Sequence, residues 1–350
     1  MLKKILTINE INSDNIGDQA IADSMLRFCS YAPDVHVDCA DFSFRSEMVT
    51  GSIKSNRAHR KSFWLQTFMS RALLVFRGFS LAFKIARERY DLAVIGGGQL
   101  VLSNGTFPIS MIIYITLLRL HGTRVKLIAI GVGERFSLFD KCLYRLAFLG
   151  VDDFMVRDKK SKQNLRREFS RDSEVCPDIV YFMTYSEAKL QNRDPGGAIL
   201  VAPVEFSVHK RYALEMGGKE LSYEEYLGYW ERIVQKQLER KSVSQVILSG
   251  TTIKDNMLAE EIFYRLNPEK RNHLKFIKSN DLVSYLNVAS CCKEVVSGRM
   301  HALILCHILG ASLTPYQISQ KIKGFEDEYL SLDPVHLNAK LGKIQETVLL

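Results

Sequence analysis

The sequence has no hydrophobic run long enough to cross a bilayer, since no window reaches the roughly 18 uncharged apolar residues that a spanning helix needs. The apolar stretch near the N-terminus is too short for a signal peptide. Cysteine is scarce: the seven residues are odd in number and no two form a C-x-x-C pair, which excludes a disulfide framework and a cysteine zinc site. We therefore expect a cytoplasmic, globular protein.

Acidic residues are outnumbered, 39 against 47 Lys and Arg, and the shortage is local. Between residues 54 and 89 nine basic residues stand against one acid, so this segment carries the entire formal charge of +8. The chain has no helix-turn-helix, zinc-finger or aromatic RNA-binding signature, so we expect no nucleic-acid partner. The same segment contains an apolar stripe at helical spacing, with Phe76, Phe79 and Phe83 at its end. It predicts either peripheral contact with an anionic membrane at its inner face or a helix packed on two sides.

Strand and helix patterns alternate along the 350 residues, which are too many for one ordinary core. The alternation stops in the polar stretch 186–197 and then restarts. Two such runs predict an α/β protein with two doubly wound parallel sheets facing a cleft. We predict an N-terminal domain over residues 1–185, a C-terminal domain over 196–330 and a final helix over 331–350.

One strand-to-helix turn, Ser297-Gly298-Arg299-Met300-His301, carries the residues best suited to chemistry. Helix-start N–H groups attract anions, the Arg299 guanidinium can make a bidentate contact with phosphate or carboxylate, and the His301 imidazole can exchange protons near neutral pH. The alternative is a capped core helix with a hydrogen-bonded histidine. Either interpretation fits this turn taken alone.

Glycines follow two other predicted strands, in Gly96-Gly97-Gly98-Gln99 and in Gly131-Val132-Gly133-Glu134. Neither segment has the spacing of the dinucleotide-binding fingerprint, so a nicotinamide or flavin site is not predicted. The glycines either let the backbone approach a ligand or only form tight turns.

Six segments in this order resemble the polysaccharide pyruvyl transferase family, whose enzymes transfer the pyruvyl group of phosphoenolpyruvate to a sugar as a cyclic ketal. The segments are Asn15-Ile16-Gly17-Asp18, Gly96-Gly97-Gly98-Gln99-Leu100, Val156-Arg157-Asp158 with Ser161, Pro177-Asp178, Ser297 to Ala302, and Tyr316-Gln317 with Lys321 and Gly324-Phe325. They span roughly residues 4 to 325. The resemblance implies two Rossmann-like domains, as in a GT-B glycosyltransferase. The sequence departs from the family at two places. It has no glycine between Asn9 and Asp14, and it has Gln19 at a position where an acid is common.

The resemblance also implies site residues. Arg157, Arg299 and His301 match the family's donor-binding and catalytic positions, with His301 as the acid/base and Arg299 beside it. The substrate-binding set that we predict is Arg157, Asn15, Asp18, Gly97, Gly98, Gln99, Ser297, Gly298, Met300 and Lys321. Arg157 could instead be a surface arginine at a helix start, and Lys321 a solvated charge.

Phosphoenolpyruvate is the implied donor, and no metal or other cofactor is predicted. The implied acceptor is a saccharide of a cell-surface polysaccharide precursor, which could be lipid-linked. Two other interpretations stay open: a GT-B glycosyltransferase that uses a nucleotide sugar, and a non-catalytic protein of the same fold.

Overall fold

Parallel strands that are buried on both faces form the framework of the chain. The computed structural model describes residues 3–46, 48–50, 68–103, 105–183, 197–213, 221–266 and 272–349. In these ranges the strands are β1 Lys3–Asn9, β2 Val35–Asp41, β3 Val49–Thr50, β4 Leu92–Gly96, β5 Arg124–Ile130, β6 Asp153–Val156, β7 Glu174–Val175, β8 Ala198–Ala202, β9 Gln245–Leu248, β10 Leu274–Phe276, β11 Cys292–Ser297 and β12 Ser312–Pro315. Every residue of β4 and β8 is buried, as expected for strands covered by helices on both sides.

The helices follow the strands in the predicted alternation. In the described residues they are α1 Ile16–Cys29, α2 Phe68–Ala86, α3 Phe107–Leu120, α4 Leu138–Phe148, α5 Lys159–Phe169, α6 Phe206–Ala213, α7 Tyr223–Leu238, α8 Ile253–Arg265, α9 Leu282–Ser290, α10 Met300–Ile308, α11 Gln320–Tyr329 and α12 Pro334–Leu349. Several begin at the caps that their sequences suggest: Ser222 and Glu225 form a capping box at α7, and Asp158 caps α5. No helix in the described part of the chain is long and apolar enough to span a membrane.

The first compact unit comprises Met1–Ser13, Ile21–Met183 and Asn338–Leu350. Its seven strands lie in the order β3-β2-β1-β4-β5-β6-β7, parallel except for the β2–β3 pair. The chain reverses direction across the sheet between β1 and β4, which makes the carboxyl ends of these strands the topological switch point. Helices α2 to α5 cover one face, where Leu6, Ile95 and Leu127 from the strands join Tyr114 and Tyr144 from the helices in one core.

The second compact unit comprises Asp14–Ala20 and Thr184–Leu337. Its sheet has five parallel strands in the order β10-β9-β8-β11-β12. Its switch point lies between β8 and β11, which are neighbours although nearly a hundred residues of sequence separate them. The turn from β11 into α10, which contains Arg299 and His301, lies at this switch point.

This division differs from the predicted domain boundaries at both ends of the chain. The first turn of α1 belongs to the second unit, and most of the last helix belongs to the first. Two side chains attach that helix: Asn338 Nδ2 donates to the Tyr181 carbonyl at 2.9 Å, and Gln345 Nε2 donates to the Phe28 carbonyl at 2.6 Å. The predicted linker, 186–197, lies outside the described residues except for Gly197.

Asp18 has the chemistry of a helix cap, and the sequence predicts that it caps the first helix, but this prediction is wrong. The helix begins at Ile16, and Asp18 lies within its first turn. The side-chain oxygen of Asn15 accepts the Gly17 N–H at 2.9 Å, and its backbone carbonyl accepts the Asp18 N–H at 3.0 Å. Asn15 therefore supplies the capping oxygen that the sequence interpretation gave to Asp18.

The sequence interpretation did not include several short elements. These are β3, β7, β12, α6, α11 and a single 3₁₀ turn at Ile179–Phe182. Two-residue strands and a four-residue edge strand are too short for a hydrophobic period to show, so only their pairing with longer strands defines them.

The described end of the apolar stripe on α2, from Phe76 onward, does not face the core. Gly78, Ala82, Ile85 and Ala86 are buried, whereas Phe76, Phe79 and Phe83 are exposed. A Cβ at position 78 would lie 2.6 Å from the Phe44 ring, so small residues let the helix approach the sheet and leave the large rings outside. The rest of the predicted basic segment, 51–67, lies outside the described residues.

Candidate active site

The turn after β11 is fixed by one hydroxyl group and one close approach. Ser297 Oγ donates to the Ala202 carbonyl at 3.0 Å and accepts the Arg299 N–H at 3.0 Å, which joins the ends of β8 and β11. A Cβ at Gly298 would lie 3.0 Å from Val204 and 3.2 Å from Ile318. Gly298 therefore allows the loops after β8 and β12 to close around the turn.

Arg299 is bound along one edge by a carboxylate that is completely buried. Its Nε lies 2.9 Å from Asp255 Oδ2 and its Nη2 lies 2.7 Å from Asp255 Oδ1. The Arg299 side chain is 20% exposed and that of Asp255 is 0% exposed. Burial alone would lower the pKa of Arg299, but the charge and hydrogen bonds of Asp255, with Glu205 at 3.9 Å, raise its pKa overall.

This pairing corrects the sequence interpretation of Arg299. A bidentate contact with a ligand anion was predicted, but the structure makes that contact with Asp255. Asp255 is held in turn by Thr251 Oγ1, which donates at 3.1 Å, and by the Glu205 N–H, which donates at 2.9 Å. Both N–H groups of Nη1 and one of Nη2 are outside these bonds, so an anion would meet the Nη1/Nη2 end of the guanidinium rather than its Nε edge.

His301 lies in the first turn of α10 and is 8% exposed. Its ring packs directly on Gly17 in the first turn of α1: a Cβ at that position would lie 2.2 Å from Nδ1. The contact explains why the Asn15-Ile16-Gly17-Asp18 segment belongs to the second unit. Glycine is needed at position 17 because any side chain would displace the imidazole or the helix.

Two hydrogen bonds hold the start of α1 in the second unit. The Ile16 N–H donates to the Thr251 carbonyl at 2.9 Å, and Gln19 Oε1 accepts the Leu282 N–H at 3.0 Å. The glutamine that departs from the family pattern thus supplies an oxygen to the N-terminus of α9. The structure brings Asn15, Gly17 and His301 together.

Three further predicted residues belong to the second unit. Met300 is buried at the start of α10. Asp18 is half-buried, and so is Lys321 in the first turn of α11. Of these, Met300 is placed by the same turn as Arg299 and His301.

Arg157, in the first unit, is a buried residue rather than a surface arginine. It follows β6, its side chain is 3% exposed, and it pairs with Asp158 at 3.4 Å and with Asp178 at 3.5 Å. Its guanidinium lies against Gly131, where a Cβ would come within 2.8 Å of Nη2. Three segments noted in the sequence therefore meet in one buried ion-pair network.

The Gly96 to Gln99 segment lies at the switch point of the first sheet. A Cβ at Gly96 would lie 2.1 Å from the Ile128 carbonyl oxygen, and Gly97 and Gly98 have φ angles of 68° and 73°. Packing and left-handed backbone account for all three glycines without a ligand. The half-buried Gln99 follows them at the strand end, where α/β sheets bind ligands.

The sequence interpretation missed Asp255 and Glu205 as members of the site. Asp255 stands three residues after Thr252, whose side chain caps α8 by accepting the Asp255 N–H at 3.1 Å. That spacing indicates a helix start and gives no sign of a buried partner for Arg299. Glu205, in the loop after β8, has no local sequence signal.

The profile of the polysaccharide pyruvyl transferase family matches residues 15–313 of the chain, which include both units and the Arg299 turn. The chain belongs to this family. No curated protein matches it closely. The matched range begins at Asn15 and includes Arg157, Arg299 and His301.

Solved structures similar to this pyruvyl transferase family member share its fold. A UDP-GlcNAc 2-epimerase from Neisseria meningitidis, solved with UDP-GlcNAc bound, is 11% identical with a TM-score of 0.58, and the match covers 99% of each chain. The enzyme from Methanocaldococcus jannaschii is 12% identical with a TM-score of 0.53, again over 99% of each chain. A putative UDP-N-acetylglucosamine 2-epimerase from Listeria monocytogenes is 12% identical with a TM-score of 0.57, over 99% of this chain and 91% of its own. The predicted fold class, α/β with two Rossmann-like domains of GT-B type, is confirmed.

Proposed function

We propose that this protein transfers the pyruvyl group of phosphoenolpyruvate to two hydroxyl groups of a saccharide, forming a cyclic ketal and releasing phosphate. The acceptor that we propose is a sugar of a cell-surface polysaccharide precursor. The observation that carries the proposal is the turn at the switch point of the second sheet, where Arg299 and His301 start one helix in a chain of the pyruvyl transferase family.

Arg299 is proposed to bind the donor through its Nη1 amino group. Asp255 fixes the plane of the guanidinium through two short hydrogen bonds, so the remaining N–H groups point in one defined direction. Because Asp255 compensates much of the arginine's charge, orientation rather than net charge is the main contribution of this side chain to anion recognition.

His301 is proposed to move the protons. The methylene carbon of phosphoenolpyruvate gains one proton, which makes the adjacent carbon electrophilic, and two sugar oxygens then bond to that carbon as phosphate leaves. The two hydroxyl groups lose two protons: one balances the proton gained by carbon and the other leaves with phosphate. An imidazole held against Gly17 is suited to this exchange because its position is fixed and imidazole is the side chain that most readily both accepts and donates a proton. The proposed steps use no metal.

Ligand stabilisation and product formation test the proposal together. The melting temperature of the purified protein is measured with phosphoenolpyruvate, with UDP-GlcNAc and with inorganic phosphate. We expect phosphoenolpyruvate to give the largest increase, and a saccharide acceptor to gain the mass of one pyruvyl ketal with release of one phosphate. Stabilisation by UDP-GlcNAc alone would instead support a nucleotide-sugar glycosyltransferase.

The neighbouring histidine of the same helix is the matched control. His307 is half-buried on α10, outside the group of residues around Gly17. We expect His301→Asn to abolish most product formation and His307→Asn to retain it. Equal losses in both variants would show that damage to α10, rather than loss of a proton carrier, explains the effect.

A further inference from the structure

In the described part of the first unit, every exposed large hydrophobic side chain lies on, or directly after, one of three neighbouring helices. Helix α3 packs against both α2 and α4, and the three cover one face of the seven-stranded sheet. Their exposed hydrophobic residues are Phe76, Phe79, Phe83, Leu120, Leu138, Phe139, Leu146 and Leu149, the last directly after α4. We call this surface the α2–α4 face.

The exposed rings of α2 are ordered by contacts with one another. The Phe79 and Phe83 rings stack with centroids 6.4 Å apart, and the guanidinium of Arg87 lies 6.0 Å from the Phe83 ring. The Phe83 ring also meets His121, at the end of α3, edge-on at 5.8 Å. These contacts join α2 to α3 on the outside of the unit while leaving 78% of Phe76 and 51% of Phe79 exposed.

The charge of the three helices is predominantly positive. Their sequences contain six basic residues, Arg71, Arg77, Lys84, Arg119, Lys141 and Arg145, and one acid, Asp140. The acid is hydrogen bonded to Ser103. Helix α2 contains no acid along its 19 residues. Arg119 pairs with Asp152 at 3.0 Å and Lys141 pairs with Glu168 at 2.6 Å, so the net positive charge of the face comes mainly from α2. A surface that combines large apolar side chains with net positive charge fits a partner that is both apolar and anionic.

We propose that the α2–α4 face binds peripherally to a lipid bilayer that contains anionic lipid. Phe and Leu side chains enter the boundary between head groups and acyl chains, while the lysines and arginines meet the lipid phosphates. A second copy of this chain is a poorer occupant, because two-fold pairing would place the same positive surface against itself. The basic residues of the α2–α4 face also distinguish it from a core-like protein interface, because the centre of such an interface is depleted of charge.

The second unit offers a contrast. Its exposed hydrophobic residues include Met257 on α8, Val283 on α9 and Val335 on α12. Helix α8 also exposes Ile253 and Tyr264, but its two acids Glu260 and Glu261 balance Lys254 and Arg265, so this surface has no excess of positive charge. Membrane contact is therefore assigned to the α2–α4 face and not to exposed apolar residues in general.

Co-sedimentation with vesicles tests the assignment without any substrate. The intact protein is mixed with phosphatidylcholine vesicles that do or do not contain phosphatidylglycerol, at low and at high salt. We expect binding to the anionic vesicles at low salt and a large loss at high salt, because the ionic contribution is screened within about 10 Å at 0.1 M salt.

Two triple variants separate the apolar and ionic contributions. Phe76→Ser with Phe79→Ser and Phe83→Ser should lower the partition coefficient by at least about tenfold. Arg77→Gln with Lys84→Gln and Arg87→Gln should lower it on the order of a hundredfold, at about fivefold for each charge.

A matched triple variant removes exposed apolar residues from the second unit instead: Met257→Ser, Val283→Ser and Val335→Ser. It should bind vesicles as the wild type does. The proposal is overturned if wild-type protein stays in the supernatant with every vesicle, or if the control triple loses binding as much as the phenylalanine triple. Self-association that the phenylalanine triple abolishes, without vesicle binding, would assign the face to a second copy. These outcomes do not depend on which group the enzyme transfers.

Discussion

Removing the carboxylate of Asp255 should destabilise the second unit more than removing an equally short surface ion pair. Asp255 is completely buried and receives four hydrogen bonds, two of them from Arg299 at 2.7 and 2.9 Å. In Asp255→Ala the guanidinium, only 20% exposed, loses its partner while the Thr251 hydroxyl and the Glu205 N–H lose their acceptor. Removing one partner of a buried ion pair typically costs about 3–5 kcal/mol.

The position of Glu205 sets the expected value within that range. Its carboxylate is already 3.9 Å from Arg299 Nη2, and its side chain is 20% exposed. It can therefore move to compensate part of the uncovered charge, so we expect a loss of about 3 kcal/mol in the free energy of unfolding. Asp255→Asn keeps an acceptor and the side-chain shape but removes the charge, and should lose about 1–3 kcal/mol.

Urea denaturation of each variant measures these losses, provided that the slope of free energy against denaturant stays unchanged. Asp23→Ala is the control, since Asp23 also pairs with an arginine at 2.7 Å, but on the surface, with side chains 36% and 48% exposed. That variant should lose no more than about 0.5 kcal/mol. If Asp255→Ala loses less than about 1 kcal/mol, the Arg299–Asp255 pair is not the buried, stabilising contact inferred from the structure.

Three further predictions concern the histidines and the glycine beside one of them. His301→Ala should still be stabilised by phosphoenolpyruvate but turn over about 10²- to 10⁴-fold more slowly, and near-normal kcat across the pH range would remove it from the mechanism. Gly17→Ala should impair turnover or folding, because the new Cβ would lie 2.2 Å from His301 Nδ1. Gly324→Ala is the control: its Cβ would meet nothing within 4 Å, so turnover should stay intact and the helix should be stabilised by up to about 1 kcal/mol. Burial lowers the pKa of His209, so the unfolded chain binds a proton at this residue at a higher pH than the folded chain does. The free energy of unfolding should therefore fall as the pH decreases below about 6.5, until the pKa of His209 in the folded protein is passed. Urea midpoints at a series of pH values should show a shallower decrease for His209→Phe, and an identical decrease in both proteins would contradict this origin.

Much of the framework can be predicted because it depends on local signals. Buried strands such as β5 and β8 are short apolar runs between turn residues, so the sequence alone indicates where they lie. Helix starts were less exact. Asp18 has the chemistry of a cap, but Asn15 takes that position because its side chain reaches the Gly17 N–H.

The candidate site could be located from sequence but not described from it. The Arg299 turn was found because a strand, a glycine and a helix follow one another there. Asp255, the partner of Arg299, was not found, because 44 residues separate the two and the local pattern around Asp255 indicates only a helix cap. Arg157 presented the same difficulty: the sequence left a surface position open, yet its side chain is buried against Gly131.

The sequence by itself determined the order of strands and helices, the membership of the pyruvyl transferase family and the position of the Arg299–His301 turn, because each of these is recorded in neighbouring residues. Only the tertiary structure decided that Asp255 binds the edge of Arg299, that the start of α1 packs on His301, and that the phenylalanines of α2 point outward. The physical reason is the same in each case. Burial and ion pairing are set by which distant segments meet, and a helical period reveals an apolar face without revealing whether that face or the small-residue face packs on the sheet.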